Sequence, residues 1–449
     1  MGRPGFFRIR TTYVCGQLRL FRRDGRRMRA MRKADSACLS LVLATAVSVA
    51  LAASPQQTGP RVVSGAVFDD ANGNGTRDAG ERGVSGVAVS DQTSVITTGA
   101  DGTFRITTAA TAAVVFVSVP DGWAAVGKMW RPVARDTTPG PQQTDFALQR
   151  HATPTEFTFV QASDTHVSAA SLPRMQRMRE MVEALHPAFV LITGDLVKDA
   201  LRVPETEARS YYEMFVAELA RFTMPVWTVP GNHENFGIER SKSHVSADHP
   251  LYGKGMYRTY LGPNYYSFSY GGVRFVGLDS VDIAPDEAGS NNDWYYGHVD
   301  AAQMTWLAAD VAHATAGSPV VTFNHIPMAS AVDQMGGYVE DGAAPSLISI
   351  HGKQQYRHLV SNTEDLLSVL RPLRLEMALA GHMHIRESLV YQTASGPVRF
   401  QQAAAIVGAG GLTGMQMASG FTVYHVKNGR VDDGTFVSVE DSGRFAPSK

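Results

Sequence analysis

From about residue 155 onward, short apolar runs alternate with longer segments of helical spacing. The runs Phe157-Thr158-Phe159-Val160-Gln161-Ala162, Phe189-Val190-Leu191-Ile192-Thr193, Pro225-Val226-Trp227-Thr228-Val229, Val320-Val321-Thr322-Phe323 and Leu375-Glu376-Met377-Ala378-Leu379-Ala380 have the length and residue types of buried strands. Leu172–Leu185 places Met178, Met181, Val182 and Leu185 at helical spacing, and Ser171 and Pro173 suit its first turn. A second helix is expected through Tyr211–Phe222. A third follows an Asp300/Gln303 cap pair and turns Met304, Leu307, Ala308 and Val311 inward. Strands and helices in alternation imply right-handed crossovers and a largely parallel inner sheet. The tail to about Val439 reads as short strands that complete a second sheet, and Phe236–Gly262 and Ala329–Ser361 read as long loops.

Residues 61–150 follow a different period. Val62–Phe68, Val87–Val89, Thr103–Thr107 and Val114–Val117 are short β-branched or alternating runs set between Gly/Asp turns, with no helical spacing among them. They predict a small all-β sandwich. Within it, Asp70, Asn72, Asn74, Thr76, Asp78 and Glu81 sit at the ligand positions of a twelve-residue calcium loop, with Gly75 at its sharp turn. Flanking helices are missing, so this is no EF-hand; it resembles the calcium loop of B-type repeats in bacterial surface adhesins. The same residues also describe an Asn/Gly hairpin loop that takes no ion, and the sequence leaves both readings open.

The formal net charge of −1 hides an asymmetry. Residues 1–37 hold eleven Lys/Arg and two acidic residues; taken from the whole-chain 41 and 42, this leaves 30 basic against 40 acidic groups, a net of −10. An acidic remainder offers no surface that specifically favours nucleic acid. The basic stretch leads into the apolar run Cys38–Ala52, closing on Ala50-Leu51-Ala52, which are the parts of a secretory signal peptide over residues 1–52. The run is short and Ala-rich for a membrane span, so export to the periplasm or medium is expected, with no stable span after processing. Translation start at Met28 or Met31 would shorten the basic region. Both cysteines, Cys15 and Cys38, precede the expected cleavage, so the mature chain has no thiol for disulfides, metal or catalysis. A polar linker over 53–60 then precedes the β module at 61–150 and the larger module at 155–440.

Five segments at the ends of the apolar runs carry the chemistry. They are Asp164-Thr165-His166, Gly194-Asp195, Gly231-Asn232-His233-Glu234, Asn324-His325 and Gly381-His382-Met383-His384. Imidazoles and carboxylates together suit zinc, iron or manganese rather than magnesium or calcium. Two such ions need a shared carboxylate and a vacant edge for water and a phosphoryl oxygen. In order and spacing the segments resemble the signature of the calcineurin-like metallophosphoesterase superfamily, over roughly Phe157 to Val439. Tyr260–Phe268 and Gly277–Ser280 further resemble its secreted bacterial members.

The resemblance implies an α/β fold, a four-layer αββα sandwich, and hydrolysis of phosphate mono- or diesters by in-line attack of a metal-bound hydroxide. It implies that Asp164, His166 and His384 hold one divalent ion, that Asn232, His325 and His382 hold the other, and that Asp195 bridges them. His233 is implied as the acid for the leaving oxygen, and Asn232 as a further stabiliser of the transition state. Two departures set the chain apart from the purple acid phosphatase branch: Lys198 stands where that branch has Tyr, and His166 stands where it has no His. Glu234 reads either as a partner for an imidazole or as a charge after a tight turn. The remaining histidines, including His244, His249, His313 and His351, read as surface or loop residues. The rival reading, a non-catalytic envelope binding protein attached through its β module, would be favoured by a missing ligand, and none is missing. Small phosphoesters are the expected substrates, and nothing in the sequence names a protein partner.

Overall fold

The computed structural model describes residues 59–135, 140–285, 291–332, 347–393, 396–408 and 418–440. The expected signal peptide, and residues 53–58 of the linker, lie outside them. Among the described residues, no helix is long and apolar enough to cross a membrane.

The larger module is built on two sheets placed face to face. In the first, Glu156–Ala162, Val190–Thr193 and Val226–Val229 run parallel, and Gly420–Lys427 joins antiparallel beside Glu156–Ala162. In the second, Val273–Gly277, Pro319–Phe323, Arg374–Ala380 and Gly396–Gln402 run parallel, with Tyr266–Tyr270 and Glu387–Thr393 antiparallel at its two edges. The period of two in Glu156–Ala162 divides its side chains between two cores. Phe157 and Phe159 face the second sheet, where Phe159 lies 5.5 Å from Phe275 and Phe189 lies 5.3 Å from Phe268. Each such offset or edge-on pair adds about 0.5–1.5 kcal/mol beyond its burial. Val160 and Ala162 face the helices Leu172–Leu185 and Glu205–Leu219, through Met175, Met178, Tyr212 and Phe215. Helices Ala301–Ala312 and Thr363–Leu370 enter the core of the second sheet through Trp306, Leu307, Leu366 and Leu370. The result is the expected four-layer αββα arrangement.

Three expectations are corrected. The chain's tail completes the first sheet rather than the second, because Gly420–Lys427 pairs with Glu156–Gln161 and Thr435–Ser438 pairs with Gly420–Val423. In the third long helix Asp300 caps as expected, accepting from Gln303 N at 2.8 Å, but the inward stripe is Gln303, Trp306, Leu307, Asp310 and Val311, and Ala308 is exposed. The two polar members of that stripe are satisfied: Gln303 bonds both main-chain groups of Asp279, and Asp310 pairs with Arg274 and Ser267. The loop expected over Phe236–Gly262 contains two short helices, Arg240–Ser243 and Gly255–Leu261.

The N-terminal module is a β-sandwich. Thr103–Thr107, Val62–Asp69, Phe146–Arg150 and Trp123–Ala125 form one sheet; Val95–Thr97, Ala88–Ser90, Val114–Val117 and Trp130–Pro132 form the other. Val63, Val67, Phe104, Ile106, Phe146 and Leu148 meet Val87, Val89, Val115 and Val117 between them, while Phe116 turns the other way, toward Trp306. The described residues form one compact unit, so the sandwich is fused to the larger module. Gln92 and Tyr265 bond each other's main chain, the Asp121 carboxylate accepts from Gly271 N and Gly272 N at 2.8 Å each, and Ser269 N donates to Val119 O.

The loop from Asp70 to Glu81 is closed by its own hydrogen bonds. Buried Asp70 accepts from the amides of Gly73, Asn74 and Gly75, and Glu81 accepts from those of Ala71 and Asp78. Asn72 and Asn74 both donate to Asp78, and Thr76 N donates to the Asn74 side chain. Among the described residues Asp70, Asp78 and Glu81 are not gathered on a common point, unlike the groups described next.

Candidate metal centre

Each of the five segments begins where a parallel strand ends, so the side chains collect at the carboxyl edge of both sheets. Asp164, His166, Asp195 and His384 form one group whose donor atoms all lie within 4.8 Å of one another; Asp195, His325 and His382 form a second. Asp195 belongs to both. Its Oδ2 lies 3.6 Å from His166 Nε2 and its Oδ1 lies 3.2 Å from His325 Nε2. Asn232 Oδ1 is 3.1 Å from His325 Nε2 and so joins the second group. His384 Nε2 lies 3.1 Å from Asp164 Oδ1, a buried oxygen that accepts no hydrogen bond. His325 Nδ1 donates to Thr193 O at 2.8 Å, which leaves Nε2 as a donor atom for an ion. The structure brings together all seven residues expected as ligands, and the nitrogen-rich set, with an orphaned buried carboxylate oxygen, fits two divalent transition metals.

The electrostatics are those of a pocket made for cations. Burial alone would raise the Asp195 carboxyl, but His325, His233 and His166 outweigh it and hold it well below the usual range. Burial disfavours the His325 cation, yet Asp195 and then Asp164 more than reverse this and push it up to about 9. His166 moves the other way, to about 4, through burial and the adjacent His233. His233 stands edge-on to His166 at 4.5 Å, donates Nδ1–H to Lys198 O at 2.6 Å, and leaves Nε2 facing the pocket, 3.9 Å from Asp195 Oδ2.

Glu234 is no partner for an imidazole. Fully buried, its carboxylate accepts from the main-chain amides of Asp195, Leu196, Val197 and Gly231, and so fixes the turn that presents Asp195. Burial and Asp195 push its pKa up to about 7. Gly231 is required by this close approach, since a Cβ there would lie 2.2 Å from Asp195 Oδ1. His244 is exposed, and His249 pairs with Glu205 and Phe236. His358 was grouped with the surface histidines and is instead buried, with Nδ1 2.6 Å from His382 Nε2. It lies in a polar stretch with no motif around it, so no spacing signal could have found it.

The pattern of the calcineurin-like phosphoesterase family matches residues 157–386, and that of the N terminal of calcineurin-like phosphoesterase matches residues 71–151. The chain belongs to this family, and with it to the metal-dependent hydrolases of phosphoric esters. It is 24% identical over 284 residues to a probable cyclic nucleotide phosphodiesterase of Rhodococcus erythropolis, covering 60% of this chain and 79% of that one. It is also similar to a dimetal phosphatase of Danio rerio at 16% identity (64% of this chain, 100% of that chain, TM-score 0.41). A purple acid phosphatase from yellow lupin matches at 13% identity (87% of this chain, 68% of that chain, TM-score 0.43).

Proposed function

We propose that the chain is an exported phosphoesterase that uses two divalent ions of manganese, zinc or iron to hydrolyse small phosphate mono- or diesters. The observation that carries this reading is the sharing of Asp195 between two groups of donor atoms. Asp164, His166 and His384 would hold one ion and Asn232, His325 and His382 the other, with Asp195 common to both groups. Ions held there supply Lewis acidity toward a phosphoryl oxygen and acidify water. The chain's own residues do the rest. Asn232 turns its Oδ1 toward the second group and leaves its NH2 for a phosphoryl oxygen. His233, oriented through Lys198 O, carries the proton that the leaving oxygen needs. The name of the Rhodococcus erythropolis relative favours a diester. Export rests on the charge and apolar pattern of residues 1–52, and N-terminal sequencing of the chain from its native cell envelope tests it.

The decisive experiment strips the protein of metal and assays it on aryl phosphate mono- and diesters, before and after manganese, zinc or iron(II) is restored. Activity is expected only with metal, and Asp195→Ala is expected to be the most damaging ligand change. His233→Ala should lower rates on alkyl esters by about 10²–10⁴-fold and far less on nitrophenyl esters, whose leaving group needs little protonation. Equal losses on both substrates would assign His233 another role.

A further inference from the structure

We infer that His358 is a positioning residue that sets the tautomer and rotamer of His382 and thereby determines how tightly the second ion is held. The inference rests on the two-ion reading above.

His382 has two ring nitrogens with separate environments. Its Nδ1 faces the second donor group, 3.2 Å from His325 Nε2. Its Nε2 faces away, 2.6 Å from His358 Nδ1. A neutral imidazole carries one proton, so an ion at Nδ1 requires that proton on Nε2. His358 Nδ1 is the acceptor that holds it there, which places the proton of His358 on its own Nε2. The two rings lie nearly parallel, 20° apart at 4.9 Å, so the pair is in register as well as in contact.

The fold goes to some length to hold His358 in this place. Ser361 N donates to Gly297 O and Val360 N donates to Pro327 O, which straps the segment between the strand Trp294–Gly297 and the loop that follows His325. Gly297 permits this approach, because a Cβ there would lie 1.9 Å from Leu359 O. Tyr295 stands edge-on to both His358 and His382, at 6.3 and 6.2 Å, and the Arg357 guanidinium lies 4.8 Å from the Tyr295 ring. A hydrogen bond from outside the ligand shell that orients a ligating imidazole is worth about 10–100-fold in metal affinity.

The test measures zinc and manganese binding to the full chain by titration calorimetry, with bound metal per chain determined by elemental analysis. His358→Phe keeps a ring but offers no acceptor. It is expected to weaken the second ion by about 10–100-fold and leave the first unchanged. His358→Asn places Oδ1 near the position of the lost Nδ1 and should recover most of the affinity. Thermal midpoints of the metal-free proteins establish that both variants fold. Two ions bound to His358→Phe at wild-type affinity would overturn the inference, as would a folded His358→Asn no better than Phe. Unaltered metal binding with a selective loss on alkyl esters would overturn it too, by making His358 a proton donor. If the wild-type chain itself bound no metal, the two-ion reading would fail first.

Discussion

Asp164, His166, Asp195, His382 and His384 all hold left-handed backbone conformations, with φ between 40° and 74°. Residues other than glycine held there cost about 1–3 kcal/mol each and persist only where their surroundings fix them. At Asp195 the fixing group is the Glu234 carboxylate. Glu234→Gln turns an NH2 toward main-chain donors and should destabilise the protein by about 2–3 kcal/mol, read from denaturant unfolding; an unchanged midpoint would remove Glu234 from this role. A pH effect belongs to His325. Its folded pKa of about 9 exceeds its ordinary 6.5, so its contribution to the stability of the metal-free protein is complete below 6.5 and is lost as pH rises through about 9. Metal-free wild type is expected to lose stability between those values more steeply than His325→Gln, in unfolding curves taken across that range. The residues that gather at the centre were legible because Asp, His and Asn follow apolar runs at the strand ends. Glu234's true partners and the burial of His358 were not, because spacing along a chain does not say which way a side chain turns.

Elements announced themselves where one period prevailed. The strands that lead into Asp164, Asp195 and Gly231 and the helix Leu172–Leu185 stand as read. Errors arose where a polar residue was buried and paired, as at Gln303 and Asp310, since the apolar pattern then misplaces the inward face. Pairing between distant strands left no local mark either, which is why the tail was assigned to the wrong sheet. The Asp70–Glu81 loop is the element whose chemistry was left open. With Asp70 holding three amides and Glu81 two, millimolar calcium is expected to leave the thermal midpoint of the full chain unmoved, while Asp70→Ala lowers it. A site that did bind would gain about 2.7 kcal/mol with calcium at a hundredfold its dissociation constant, and a midpoint raised accordingly would restore the ion.

At the scale of the molecule, the change of period near residue 150 marked two modules, and the structure joins them by reciprocal side-chain to main-chain bonds. Their acceptors are main-chain carbonyls, which every residue has, so no sequence pattern discloses the pairing. A chain beginning at residue 155 is therefore expected to keep the residues of the metal centre and still fail to behave as a soluble domain, judged by size-exclusion chromatography. The reason lies in what the sandwich covers. Tyr266–Tyr270 is the outermost strand of the second sheet, and Val119 pairs alongside Phe268 as though adding one more strand. Stripped of that cover, Tyr-Ser-Phe-Ser-Tyr is a bare, aromatic-rich edge with amides and carbonyls facing outward, the template on which a second chain adds. Self-association of the truncated chain should then proceed by strand addition and be suppressed by Ser269→Lys, since a charge on an edge strand blocks such pairing. The N-terminal module thus covers an edge that would otherwise be open to strand addition.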